Sequence, residues 1–148
     1  MKDAFNIVRF YDRENEAVPM TQEKSYIPVY GKISCGYPKF IDDNYEGCVE
    51  IPYHMIGEGD YFVLKSSGNS MVNAGINDGD LILVKKQNYA ENGQIVVAVC
   101  EGDVTLKRFY YDKTQGLYRL CPENSEYEEI RLKDIEILGV AVKVVKDL

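Results

Sequence analysis

From Ile27 onward, hydrophobic and polar positions succeed one another in runs too short for helices. Eight segments stand out: Ile27 to Ile33, Cys48 to Ile51, Tyr61 to Lys65, Leu81 to Val84, Gln94 to Cys100, Val104 to Tyr111, Leu117 to Cys121 and Ile137 to Val145. Short apolar blocks and two-residue alternation, bounded by turn residues, predict β-strands. The turns between them are marked by Asn77-Asp78-Gly79, Glu91-Asn92-Gly93, Glu101-Gly102-Asp103 and Pro122-Glu123-Asn124. The expectation is a mostly β domain of small, strongly curved sheets. Single helical turns are expected only at Pro52 to Ile56 and Ser70 to Ala74. The opening segment is different, because Pro19 and the polar stretch Thr21 to Ser25 interrupt any sustained period. Residues 1–26 therefore read as an arm or linker, and residues 27–148 as the folded domain.

Composition narrows the function classes. A chain of 148 residues, 45% hydrophobic, has material for one domain with a real core. A formal net charge of -7 makes its surface a poor partner for phosphate backbones, so it is not expected to grip DNA by itself. Cysteines at 35, 48, 100 and 121 have neither the close pairing of a zinc site nor the density of a disulfide scaffold, which suits a reducing, cytoplasmic setting. No apolar run approaches the ~18 residues of a membrane span, so no membrane partner is expected. Neither is a metal or cofactor. His54 reads as a surface or turn residue, the glutamates at 123, 126, 128 and 129 as a solvated loop, and Asp78 with Asp80 as turn chemistry.

Three segments carry candidate chemistry. Ser66-Ser67-Gly68-Asn69-Ser70-Met71 follows a strand and precedes a short turn. That setting can present one serine hydroxyl at a sheet edge beside backbone N–H groups able to hold an oxyanion, although such a serine can equally cap a turn. In Val104 to Phe109, alternation places Thr105, Lys107 and Phe109 on one face. A lysine that acts as a base must be neutral; moving it from about pKa 10.4 to roughly 7–8 means destabilising its charged form by about 3.5–4.5 kcal/mol, which burial can supply. The alternative is a lysine reaching from an edge strand to water. Finally, Ile27 to Pro38 is an extended run in which Cys35 precedes Gly36. Such a strand can be laid across a site by adding to a sheet edge, or can simply lead into a Gly-Tyr-Pro turn.

Taken together, these segments resemble the C-terminal domain of the LexA-type repressors, phage repressors and UmuD-type mutagenesis proteins. The matching residues are Cys35-Gly36, Ser67 to Met71, Gly75-Ile76, Asp78 to Leu81, Gly93 to Ala98, Val104 to Arg108, Pro122 to Ser125 and Gly139 to Ala141. Cys35 lies 35 positions before Ser70, and Lys107 lies 37 after it, as in the family. The family cuts itself at Ala-Gly or Cys-Gly with a Ser/Lys dyad. The resemblance therefore implies that Ser70 is the nucleophile, Lys107 the general base, and Cys35-Gly36 the target bond within a cleavage segment of about residues 27–40. Asn69, Met71 and Thr105 would support the dyad.

The same resemblance implies a homodimer stimulated by RecA filaments on single-stranded DNA, with the last strand at an exposed sheet edge contributing to the dimer. Operator DNA would be reached only through an upstream helix-turn-helix domain, because the first 24 residues cannot supply its packed helices. Two alternatives stand beside a repressor. One is a UmuD-type self-processing subunit of a translesion polymerase, which a cysteine before the cut would suit. The other is a signal peptidase-like enzyme acting on other proteins, which the lack of an apolar anchor disfavours.

Overall fold

Strands organise the chain because its apolar residues come in blocks that can be buried only by pairing backbone with backbone. A computed structural model describes residues 24–31 and 45–146. Nine strands follow in order: β1 Lys24–Tyr30, β2 Tyr45–Pro52, β3 Tyr61–Lys65, β4 Leu81–Lys86, β5 Ile95–Cys100, β6 Asp103–Asp112, β7 Leu117–Cys121, β8 Ile130–Leu132 and β9 Glu136–Val145. Single 3-10 turns occupy Tyr53–Met55 and Val72–Ala74, inside the two segments expected to be helical turns. The mostly β expectation is met. Two strands, β3 and β7, have the expected limits, while β1 starts at Lys24, inside the expected arm, because Lys24 to Tyr26 pair with Glu50 to Pro52. The three residues of β8 are an additional strand, too short to give a two-residue period.

The strands form one ladder in the order β2-β1-β3-β4-β9-β5-β6-β7-β8. Only β1 with β3 is parallel; the other pairs are antiparallel. Register shifts at Pro28/Tyr30, Leu83/Val84 and Val97/Ala98 bend the ladder. Among the described residues no long helix covers the sheet, so it must fold over its own faces. Thus Tyr61 and Val63 of β3 face one apolar cluster with Leu81 and Leu83 of β4, while Phe62 and Leu64 face a second with Ile82 and Val84. A third cluster gathers Val96, Ala98, Cys100, Phe109 and Leu120.

The last strand corrects one expectation. β9 is not an exposed edge but a central strand, paired with β4 on one side and β5 on the other. Its Ile, Leu and Val content serves burial at Ile137 and Val140, with Val142 and Val144 exposed. Gly139 has a steric reason: a Cβ there would meet the Lys85 carbonyl oxygen and Val84 Cγ1, each at 2.5 Å.

Candidate active site

Ser70 sits in the connection from β3 to β4, a stretch tied down along its length. Ser66 exchanges backbone hydrogen bonds with the far end of the loop, its N–H donating to Asp80 O at 2.7 Å and its carbonyl accepting from Gly79 N at 2.8 Å. Gly68, at φ +82°, donates its N–H to the Asp78 carboxylate at 2.8 Å. The Asp80 carboxylate accepts from Asn77 N–H and from Lys146. Both aspartates therefore hold the loop, as their reading as turn residues expects. Next to the serine, Met71 is buried in the second apolar cluster and anchors the turn, its carbonyl accepting from Ala74 and Ile76.

Lys107 reaches Ser70 from β6. Its neighbour across the ladder is Val96 of β5. On the other side, pairing with β7 ends one residue further along, at Arg108 opposite Cys121, so the space beside Lys107 is open to the Ser70 turn. The lysine Nζ donates to Ser70 Oγ at 3.1 Å, to Thr105 Oγ1 at 2.5 Å and to the Leu106 carbonyl at 3.2 Å. Burial holds its pKa below the ordinary lysine value. Burial also raises the Cys100 thiol above the usual range, which keeps it protonated and a poor nucleophile.

These contacts determine what the lysine can do. As an ammonium it has three donors for three acceptors. As a neutral amine it keeps two N–H groups, which Thr105 Oγ1 and the Leu106 carbonyl accept, and its lone pair is left to receive the Ser70 hydroxyl proton. Ser70, Lys107 and Thr105 line one cleft of about 700 Å³, along with Met71, Gly31 and Glu101.

Asn69 is exposed, and its contribution comes from its backbone: its carbonyl accepts from the Asn124 side chain at 2.8 Å. Cys35 and Gly36 lie outside the described residues. In the sequence Glu123 and Asn124 read as a turn, with Glu123 also in a solvated loop, yet Glu123 N–H donates to the Ser70 carbonyl at 2.7 Å. Their other signal was membership of the Pro122 to Ser125 match, which names residues and not contacts. The acidic loop is also more than solvated, since Glu123 pairs with Arg108 and Glu129 with Arg119 and Arg131. Glu129 is held below the usual carboxylate range by its hydrogen bond from Arg119. Among the described residues, no three His, Cys, Asp or Glu side chains converge on a metal position, and no helix is long and apolar enough to cross a membrane.

Comparison with known proteins finds LexA repressors among this chain's relatives. The LexA repressor of Caldicellulosiruptor saccharolyticus is 42% identical over 120 residues, covering 81% of this chain and 58% of that protein. That of Clostridium perfringens strain SM101 is 40% identical over 142 residues, 95% of this chain and 66% of the relative. That of Staphylococcus haemolyticus is 41% identical over 140 residues, 93% and 66%. The chain thus spans less than two thirds of each relative's length. Residues 28–142 match the Peptidase S24-like family. Because that match runs from within β1 to within β9 and takes in every strand between, the chain belongs to the Peptidase S24-like family.

Proposed function

We propose that this chain is the self-cleaving, C-terminal portion of a LexA-like repressor, and that it hydrolyses its own Cys35-Gly36 bond. The observation that carries the reading is the contact of Lys107 Nζ with Ser70 Oγ at 3.1 Å, in a site where burial favours the neutral amine. Neutral Lys107 takes the Ser70 proton as Oγ attacks the Cys35 carbonyl carbon. The resulting oxyanion is held by the N–H groups of Ser70 and Met71. On collapse, the C–N bond breaks, Lys107 returns the proton to the Gly36 amine, and Cys35 remains as an ester on Ser70. Water then attacks the ester carbon as it gives a proton to Lys107, and the C–Oγ bond breaks as Lys107 hands that proton to Ser70 Oγ, releasing the acid.

Attack within one chain suits a site of modest power, because a tethered target has a high effective concentration. Gly31 lines the same cleft and precedes Cys35 by four residues, an extended reach of about 13–14 Å. In the whole protein, we place an operator-binding domain upstream, a homodimer, and RecA filaments as the agent that shifts the chain toward its cleavable form. Cleavage would then separate the DNA reader from its dimerising half and end repression of the damage response.

Mass spectrometry after incubation at about pH 10, where a shifted lysine is largely neutral, tests the chemistry. Fragments ending at Cys35 and starting at Gly36 are expected, and none from Ser70→Ala. An intact parent chain, both alone and with RecA, nucleotide and single-stranded DNA, would sink the reading.

A further inference from the structure

The segment that follows β7 makes more contacts with the serine's turn than a surface loop needs. Three hydrogen bonds from it bracket Ser70: Asn124 Nδ2 donates to the Asn69 carbonyl at 2.8 Å, Glu123 N–H donates to the Ser70 carbonyl at 2.7 Å, and the Glu123 carbonyl accepts from Asn73 N–H at 2.8 Å. The same residue is tied to the lysine's strand. The Glu123 carboxylate pairs with Arg108, the neighbour of Lys107, and Arg108 also donates to the Gly93 carbonyl at 2.5 Å. Alternation puts Arg108 on the opposite face from Lys107, so this brace grips the site from behind and leaves the cleft side open.

A trans peptide unit is planar, and its C=O and N–H point in opposite directions. The Asn69 carbonyl shares its plane with the Ser70 N–H, and the Ser70 carbonyl shares its plane with the Met71 N–H. Fixing those two carbonyls therefore fixes the direction of those two N–H groups. Among the described residues neither N–H has a hydrogen-bond partner, and Ser70 and Met71 both line the cleft. We propose that Asn124, with the backbone of Glu123, is a positioning residue that aims the oxyanion donors of Ser70 and Met71 while holding the nucleophile's turn against the strand that carries Lys107. The inference rests on the self-cleavage reading above.

The test is Asn124→Asp, which keeps the shape of the side chain and removes its N–H donor, with Asn124→Gln as the variant that retains the donor. Two rates are followed at several pH values: self-cleavage of the full chain, and reaction of Ser70 with a small alkyl fluorophosphonate. The second forms an oxyanion at phosphorus and expels fluoride without any need for the target segment. Loss of aim at the donors is expected to slow both rates in Asn124→Asp by about tenfold, less than the 10²–10³ seen when a donor is deleted outright. The midpoint of the pH profile should stay in place, the melting temperature should stay above the assay range, and Asn124→Gln should recover at least part of the loss. Equal rates in parent and variant would overturn the proposal. So would a defect confined to self-cleavage, which would assign Asn124 to the target strand, or a displaced midpoint, which would assign it to Lys107. A parent chain that neither cleaves nor labels would instead count against the self-cleavage reading itself.

Discussion

Lys107 and Ser70, 37 residues apart in the chain, meet at 3.1 Å because β6 outruns its partner β7 just where the Ser70 turn arrives. The lysine is half-buried there with two oxygen acceptors besides the serine. Such an arrangement favours the neutral amine at the expense of the charged form, and its consequences can be measured.

Stability should carry the sign of that expense. The folded-state pKa of Lys107 lies below that of the unfolded chain, so between the two values the unfolded state binds more protons and stability rises with pH. Below the depressed pKa the burial penalty is present in full; above the ordinary lysine value it is gone. Lys107→Met, which fills the same space without a charge, is therefore expected to be more stable than the parent at pH 7, with the gap narrowing toward about pH 11. Urea denaturation of both at the two pH values decides; a gap that does not change with pH would mean that the lysine is not desolvated.

Thr105→Val separates orientation from electrostatics. The hydroxyl accepts a hydrogen bond from Lys107 at 2.5 Å, which both fixes the amine and favours its charged form. Without it, the pH midpoint of self-cleavage should move down while the plateau rate falls by about tenfold from lost alignment. A pH–rate profile gives both quantities, and a midpoint that moves up would contradict the role.

The hairpin between β5 and β6 turns on Glu101 and Gly102, with φ of 52° and 85°. Two central residues at positive φ suit Asn-Gly far better than Glu-Gly. Glu101→Asn is expected to raise stability by about 0.5–1 kcal/mol, read as a higher melting temperature. No gain would show that the backbone at 101 is unstrained.

Gly139→Ala should do the opposite. Its new methyl would meet the Lys85 backbone and the Val84 side chain, and a forced shift between packed central strands costs about 1–3 kcal/mol. Chemical denaturation would detect this, and an unchanged midpoint would argue against the close approach of β9 to β4.

Much of this was legible in the sequence, for identifiable reasons. Alternation over Val104 to Phe109 put Lys107 and Thr105 on one face, and the structure joins their side chains by a hydrogen bond. Turn residues bounded the strands well enough that β3 and β7 have their expected limits. Strand order was not legible, because periodicity reports which faces are buried and is silent about neighbours; hence β9 was expected at an edge and lies at the centre. The brace was hidden for a related reason. Glu123 acts through its backbone N–H and carbonyl, groups that every residue but proline carries, so no side-chain pattern could announce it.

The place of β9 has a further consequence, for the order of events as the protein is made. Ser70 belongs to the β3–β4 half of the ladder and Lys107 to the β5–β6 half, and among the described strands β4 and β5 each pair with β9 and not with each other. A ribosome delivers Glu136–Val145 after both halves, so the ladder can join them only once that strand has been made. Ser70 and Lys107 are both synthesised before the strand that joins their halves. On the proposed reading, a nascent chain would thus keep its dyad apart until Glu136–Val145 is in place.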